Sequence, residues 1–302
     1  MSSSDSAQWE GKTGGGKVGQ RLLIMLFGIV KVSFVYPILI PVIPFYFIFG
    51  KKSRRSTYVY FHDILGYSRW ESFWMSLKCF MTFGEVVLDK FALAAGNLGQ
   101  FSVSALGREL FDSALDNPKG CIIAGSHIGN MEICGNALRQ DKKKIYALIY
   151  GGENAFLQKK RNESLSQVEM IPVKEDMSHS FEMLKALMNG DIFMVACDRL
   201  YPGERSLKVN FMGHEAEFPL GMFLIAAKLK IPVFSIVTVK EKRLNYKIIV
   251  QKIEADESLP RDKYAEALAK SYVKSLEVIL EEHPYQWFNF FDFWNKQHNI
   301  NL

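Results

Sequence analysis

Apolar and polar residues divide the chain into a short apolar segment near its start and a longer body in which apolar runs alternate with amphipathic ones. Residues 22–49 form the apolar segment, and the stretch from Val32 to Phe49 contains 18 residues without a charge. A helix of that length rises roughly 27 Å, close to the thickness of a bilayer core. The pattern therefore predicts a membrane-embedded segment, spanning or re-entrant, with a buried core helix as the alternative.

The borders of the apolar segment are polar on both sides. A glycine-rich tail, residues 1–21, precedes it, and no small-residue cleavage site follows, which argues against a cleavable signal peptide. Three prolines lie within the segment: Pro37, Pro41 and Pro44. They predict kinks, which membrane helices tolerate better than soluble ones. A basic group follows at once: Lys51, Lys52, Arg54 and Arg55. Its charges would lie among lipid headgroups and attract anionic lipids.

Residues 56–98 are rich in aromatic side chains and follow a helical spacing. The apolar stripe consists of Trp70, Phe73, Trp74, Leu77, Phe80 and Met81. Recurrence at three and four residues is typical of a helix with one apolar face. We expect that face to pack on the protein core, and the alternative is that part of it lies on lipid.

From about residue 118 the chain alternates between strand-like and helix-like patterns. The predicted strands are Cys121–Ala124, Ile145–Tyr150, Met170–Val173, Ile192–Cys197, Pro232–Val239 and Tyr246–Ile253. The predicted helices are Asn130–Arg139, Ala155–Ser166, Ser178–Met188, Pro219–Leu229 and 262–283. Such alternation indicates an α/β fold with a mixed, largely parallel sheet flanked by helices. We expect residues 50–302 to form one domain.

Charge and cysteine content narrow the possible functions. The chain has 37 Lys+Arg against 32 Asp+Glu, and a formal net charge of +5 on 302 residues does not predict a nucleic-acid partner. The four cysteines, Cys79, Cys121, Cys134 and Cys197, are dispersed and show no ligand spacing. They indicate reduced thiols in a reducing compartment, and no metal site is expected.

The run from Gly125 to Glu132 holds the candidate chemistry. It follows an apolar strand, where α/β folds place their ligands. His127 and Glu132 are five residues apart, so they can meet if His127 lies on the turn and Glu132 in the first turns of the next helix. A carboxylate that accepts the ring N–H turns histidine into a general base. The alternative is a loop histidine that caps the helix, with Glu132 solvated.

The sequence SHIGNME at 126–132 resembles the catalytic block of the lysophospholipid acyltransferase superfamily, and its HxGNxE form is similar to the late lipid A acyltransferase branch. Further blocks of that branch resemble Gly190-Asp191-Ile192, Asp198-Arg199, Phe211-Met212-Gly213, Phe218-Pro219, Gly221 and Ile231-Pro232-Val233. The resemblance extends over roughly residues 20–295. It implies a glycerolipid-acyltransferase-like fold.

The resemblance also implies a reaction. His127, oriented by Glu132, would deprotonate a hydroxyl of a lipid acceptor, which attacks the thioester of an acyl chain on acyl-carrier protein, with no metal or other cofactor. The implied substrate-binding residues are Gly129, Asn130, Arg161, Asp198, Arg199, Phe211, Gly213, Pro219 and Gly221. Partners would be acyl-carrier protein, the acceptor lipid and the membrane surface. The enzyme would act on the cytoplasmic side of a bacterial inner membrane.

Alternatives remain for several of these residues. Asp198-Arg199 could be a structural ion pair, and Arg161 could belong to a solvated basic face. The basic runs 142–144 and 159–161 could attract an acidic carrier protein or simply keep the surface soluble. Seven of the ten residues 285–294 are aromatic, unlike the usual lipid A enzymes. That tail and the glycine-rich amino tail are closer to superfamily members of aryl-polyene or flexirubin-type pathways, so a lipid A precursor and such a polyene are both candidate acceptors. A non-catalytic lipid- or carrier-binding protein is the third possibility.

Overall fold

A computed structural model describes residues 17–137, 142–149, 168–172, 178–200 and 204–294. Most of the amino tail, the predicted helix Ala155–Ser166, the basic run 159–161 and Arg161 lie outside the described residues.

A seven-stranded sheet forms the centre of the molecule. Its strands are β1 (Ser102–Leu106), β2 (Cys121–Gly125), β3 (Ile145–Ile149), β4 (Val168–Pro172), β5 (Ile192–Ala196), β8 (Val233–Lys242) and β9 (Asn245–Ile253). The spatial order is β1-β9-β8-β2-β5-β3-β4, and every neighbouring pair is parallel except β8 with β9. The predicted α/β class with a mixed, largely parallel sheet is confirmed.

Two strands of a separate antiparallel hairpin, β6 (Ser206–Phe211) and β7 (His214–Pro219), were not predicted, and neither was the edge strand β1. The presence or absence of an apolar run explains which strands could be predicted from the sequence. All five residues of β2 are buried, as a strand covered on both faces requires. In β1, four of the five residues are exposed, so no apolar run marks it in the sequence.

Helices cover both faces of the sheet. Within the described residues they are α1 (Lys17–Phe27), α2 (Val32–Val35), α3 (Leu39–Phe49), α4 (Lys51–Val59), α5 (Arg69–Ala94), α6 (Arg108–Asp116), α7 (Met131–Ala137), α8 (Ser178–Met188), α9 (Gly221–Leu229) and α10 (Arg261–Glu282). A 3-10 turn, Tyr36–Ile38, joins α2 to α3, a π turn, Tyr60–Ile64, ends α4, and short 3-10 turns lie at Leu98–Gln100 and Pro284–Gln286. Ser68 caps α5 in a capping box with Glu71.

The apolar segment is divided along its length into a buried and an exposed face. On the buried face, Leu39 and Ile43 lie against Gly84 of α5, where a Cβ would come within 2.8 Å of Ile43 Cδ1. The exposed face comprises Leu22, Met25, Leu26, Ile29, Phe34, Ile38, Ile40, Phe45, Tyr46, Ile48 and Phe49. Val32–Phe49 is the one stretch among the described residues that is long and apolar enough to cross a membrane, judged by length and composition.

The aromatic stripe of α5 was expected to pack on the core, but only part of it is buried. Phe80 is buried, but Trp70 is 74% and Trp74 59% exposed. The reason is that the first turns of α5 meet the end of α3, where Phe73 packs edge-on against Phe47 at 5.5 Å. The start of α5 therefore extends the exposed apolar surface of the segment beside it.

Candidate active site

The loop that follows β2, residues 126–130, is held from two sides by backbone hydrogen bonds. On one side Asn130 N donates to Thr238 O of β8 at 2.8 Å. On the other side lie residues 284–294, which we call the C-terminal strap. Gly129 N donates to Gln286 O at 3.0 Å, and Phe288 N donates to His127 O at 3.0 Å. The loop is thus fixed at the carboxyl edge of the sheet, where the sequence places the site.

Gly129 and Asn130 shape the turn of this loop. Gly129 has φ +66°, and a Cβ there would lie 1.8 Å from Thr238 O, so no other residue fits without moving β8. Asn130 is buried, and its Oδ1 accepts Ile133 N at 3.3 Å, which caps the start of α7. Both residues were predicted to bind substrate, and the structure gives each a role in building the turn.

His127 is oriented by Asp198. Its Nδ1 lies 2.8 Å from Asp198 Oδ1, and its backbone N donates to Asp198 Oδ2 at 2.8 Å. The two residues meet because β2 and β5 are adjacent parallel strands whose ends carry the two loops. A carboxylate on Nδ1 makes that nitrogen the N–H, which leaves Nε2 as the acceptor. With a third of its side chain exposed, His127 can offer Nε2 to a substrate.

Asp198 stays ionised in this position. Burial raises its pKa, but attraction to His127, the hydrogen bonds from its ring and backbone, and the charge of Arg199 outweigh that effect and lower the pKa to about 2. The carboxylate therefore stabilises the imidazolium that forms when His127 takes a proton.

Trp287 of the strap is part of the site, and the sequence analysis missed it. Its indole Nε1 donates to Asp198 Oδ2 at 3.0 Å. Asp198 Oδ2 thus accepts from both the His127 backbone and Trp287. The available signal was that a buried tryptophan needs a partner for its N–H, but the aromatic run at 285–294 holds two tryptophans and no rule says which one reaches the site.

Glu132, which the sequence predicts to orient His127, forms an ion pair in the structure. Its Oε1 lies 2.9 Å from Lys90 Nζ of α5, and both side chains are partly exposed. The carboxylate on Nδ1 of His127 is Asp198. The tight turn at Gly129 starts α7 only at Met131, while the neighbouring strand β5 delivers Asp198 directly beneath the loop. The described carboxylate partner of the His127 ring is therefore Asp198, which the sequence predicts to bind substrate or to form an ion pair. That Glu132 orients His127 during turnover stays a prediction.

The other predicted binding residues fall into two groups. Arg199 donates from Nη2 to Phe288 O at 3.1 Å and lies 5.4 Å from the Phe291 ring, so it fastens the strap. Phe211 is fully buried and packs edge-on against Trp287 at 5.5 Å, which supports the site from below. Both residues therefore act on the strap in the described structure.

Gly213, Pro219 and Gly221 belong to the hairpin and its exit. Gly213, with φ +80°, forms the turn between β6 and β7, Pro219 ends β7, and Gly221 begins α9. Among the described residues, no hydrogen bond joins them to the His127 loop. That these three residues contact a bound substrate stays a prediction.

Backbone amides near His127 are largely committed to the protein. The N–H groups of Gly129, Asn130 and Ile133 already have acceptors, so they are not free to stabilise an oxyanion. Within the described ranges, no group of three His, Cys, Asp or Glu side chains could hold a metal ion. All four cysteines are buried free thiols, and burial raises the pKa of Cys121 and of Cys134 to about 12.

The basic run 142–144 lies at the opposite edge of the sheet. Lys143 Nζ donates to the carbonyls of Asn117, Lys119 and Gly190 at 2.6, 2.6 and 2.8 Å. Strand β3 begins at Ile145, level with the start of β2, so the run lies at the amino ends of these strands, whereas His127 follows the carboxyl end of β2. The central lysine of the run joins loops of the fold together.

Two comparisons with known proteins found a match for this chain. A family model described as bacterial lipid A biosynthesis acyltransferase matches residues 92–296, more than half of the chain. The crystal structure of the 1-acyl-sn-glycerophosphate acyltransferase PlsC from Thermotoga maritima is similar over 86% of this chain and 97% of that chain, at 16% identity and a TM-score of 0.36. No curated protein matches the chain. The matched family range contains His127, Asp198 and Trp287.

Proposed function

The chain belongs to the bacterial lipid A biosynthesis acyltransferase family, and on that premise we propose that it transfers a fatty acyl chain from acyl-carrier protein to a hydroxyl of a lipid A precursor. The observation that supports this most is the His127–Asp198 pair: Asp198 occupies Nδ1, so Nε2 of the partly exposed ring is the nitrogen that can accept a proton. No cofactor is required, because the thioester of the donor is already activated.

The proposed reaction has one acyl transfer and two proton transfers, both through His127. His127 Nε2 removes the proton from the acceptor hydroxyl as its oxygen attacks the thioester carbonyl. A C–O bond forms, the C–S bond breaks, and the proton passes from His127 to the departing thiolate. Asp198 holds the ring in one tautomer and stabilises its positive charge throughout.

The membrane is the proposed working place of the enzyme. The exposed face of the apolar segment is continuous with Trp70 and Trp74, and together they form an apolar surface far larger than scattered single residues. The segment's other face is occupied by α5, which favours embedding over a free crossing of the bilayer. Arg54 donates to the carbonyls of Phe47 and Ile48, while Lys51, Lys52 and Arg55 remain at the border to meet anionic headgroups. We place the body on the cytoplasmic side of the inner membrane.

The test is acyl transfer by the purified enzyme in lipid vesicles. Acyl-carrier-protein and coenzyme A thioesters serve as alternative donors, and a lipid A precursor and a lysophospholipid as alternative acceptors, with products identified by mass spectrometry. We expect transfer from the carrier protein to the lipid A precursor, and its loss in His127→Ala with the fold intact. Transfer only to the lysophospholipid would contradict a lipid A precursor as the acceptor, and full activity in His127→Ala would contradict His127 as the general base.

The two carboxylates near the loop are separated by Asp198→Asn and Glu132→Gln. We expect the larger loss in Asp198→Asn, because Asn cannot stabilise the imidazolium. If Glu132→Gln abolishes transfer and Asp198→Asn leaves it, then Glu132 is the partner of His127 during turnover and the proposed dyad is wrong.

A further inference from the structure

A buried ion pair lies behind the catalytic loop, between the apolar segment and the sheet. Lys240 of β8 is 4% exposed and Asp89 of α5 is fully buried, and Lys240 Nζ lies 2.5 Å from Asp89 Oδ2. A buried pair of this kind contributes little net stability, because desolvation offsets the attraction, and apolar residues of the same volume often stabilise as well. Its presence therefore calls for a role other than stability.

Two tyrosines extend the pair in opposite directions. Tyr36, in the turn between α2 and α3, donates to Asp89 Oδ1 at 2.6 Å and lies 2.9 Å from Lys240 Nζ. Tyr246 of β9 donates to Asp89 Oδ2 and accepts from Asn130 Nδ2 at 3.4 Å. One chain of hydrogen bonds thus connects the apolar segment to the residue that caps α7.

The backbone of Lys240 makes a second connection to the same loop. Gln286 Oε1 accepts Lys240 N at 2.8 Å, and Gln286 Nε2 donates to Lys240 O at 2.8 Å. The carbonyl of Gln286 in turn accepts Gly129 N at 3.0 Å. The side chain of Lys240 therefore faces the apolar segment while its main chain is tied, through Gln286, to the loop that carries His127.

We propose that Lys240 and Asp89, with Tyr36 and Tyr246, form a positioning network that couples the docking of the apolar segment to the geometry of the His127 loop. The network touches no reacting atom. It holds Asn130 and Gly129, and hence His127, in place only while Tyr36 is seated. An apolar replacement of the pair would fill the same space without specifying this register. The proposal rests on the proposed function only for its kinetic readout.

Single tyrosine variants test the network with small changes in volume. Tyr246→Phe removes the link to Asn130, and Tyr36→Phe removes the link to the apolar segment. The matched control is Tyr60→Phe, because the buried Tyr60 hydroxyl has no hydrogen-bond partner among the described residues. The measurements are amide hydrogen exchange of the peptide covering 126–133, the melting temperature, and kcat and KM of acyl transfer in vesicles.

We expect Tyr246→Phe to speed exchange in the 126–133 peptide and lower kcat about fivefold, with both KM values unchanged, since one hydrogen bond is lost. Tyr36→Phe should change both quantities in the same direction by a smaller factor, and Tyr60→Phe should change neither. Unchanged exchange and kcat in the first two variants would overturn the proposal. Equal loss of protection in β2 and β5 would also overturn it, because the effect would then be general destabilisation.

The pair itself is tested by the double variant Asp89→Leu with Lys240→Met. We expect a folded protein with a lower kcat and a faster-exchanging loop. A double variant with wild-type kcat and exchange would show that the pair does not position the loop. If the wild-type enzyme shows no acyl transfer at all, the proposed function fails, while the hydrogen-exchange results still decide for or against the network.

Discussion

The apolar segment and the C-terminal strap are both rich in aromatic side chains, but most of these face solvent in the segment and the protein in the strap. In the strap no aromatic side chain is exposed, and its main chain is hydrogen-bonded to the His127 loop. In the apolar segment, Phe34 is 74% and Phe49 68% exposed. The difference shows that composition alone does not tell an aromatic surface that stays exposed from one that packs against the candidate site. Partners within the fold decide it.

The first way to break this comparison is to remove the carboxylate that the strap supports. In Asp198→Asn we expect kcat/KM to fall about a thousandfold, because His127 loses its tautomer control and the counter-charge of its imidazolium. The exposed Asp256→Asn is the matched control and should retain activity. A loss of less than tenfold in Asp198→Asn, measured in the vesicle assay, would remove Asp198 and the strap from the catalytic account.

The second test concerns the outward-facing surface. Phe45→Ser combined with Phe49→Ser should lower vesicle affinity about a hundredfold, since each exposed ring contributes apolar area to lipid contact. Phe181→Ser, at a 76% exposed phenylalanine of α8, is the control and should bind as the wild type does. Binding is measured by vesicle flotation, and equal flotation of all three proteins would show that the apolar segment does not anchor the enzyme.

The third test makes the same substitution, tryptophan to phenylalanine, once in the strap and once on the exposed apolar surface. Trp287→Phe keeps an aromatic ring, though a smaller one, and removes the N–H that donates to Asp198, so kcat should fall about tenfold, as expected for a hydrogen bond to a charged group. Trp74→Phe, on the exposed surface, should leave kcat unchanged. If the two variants behave alike in the assay, the inward and outward regions do not differ in function.

The smallest expected effect is on acid stability. The pKa of Asp198 is lowered to about 2, so its contribution to stability is present above the ordinary aspartate pKa of about 4 and is lost as the pH falls through 2. The contribution is on the order of 2 kcal/mol. The melting temperature of the wild type should therefore fall more steeply from pH 4 to 2 than that of Asp198→Asn. Parallel curves would mean that the His127–Asp198 contact does not form in solution.

Much of the fold was predictable because its central strands are continuous apolar runs. Cys121–Ala124 was predicted and the strand is Cys121–Gly125, and the helix Ser178–Met188 was predicted to the residue. The β6–β7 hairpin was missed because its strands alternate polar and buried residues around a turn that the family blocks had marked as a binding motif. The local sequence pattern cannot show that one face of this hairpin packs on α10, which lies far away in the sequence.

The candidate site was predictable only in part. His127 and its place after a central strand follow from the local sequence, but the identity of its carboxylate depends on which strand lies beside β2. Sequence distance favoured Glu132, five residues away, whereas strand order brings Asp198. Trp287 joins the site from farther still, through the strap. Long-range pairing of this kind is a property of the topology, which a single sequence does not display.

The hydrogen bonds of the strap to the His127 loop also set an order of events during synthesis. The apolar segment leaves the ribosome early, whereas Gln286 and Trp287 emerge only after every strand of the sheet has been made. A nascent chain halted before residue 284 would already carry the exposed apolar face, but the amide of Gly129 would lack its acceptor, the Gln286 carbonyl, and Asp198 would lack the hydrogen bond from Trp287. Such a chain would therefore expose its apolar face before the His127 loop is held from its second side.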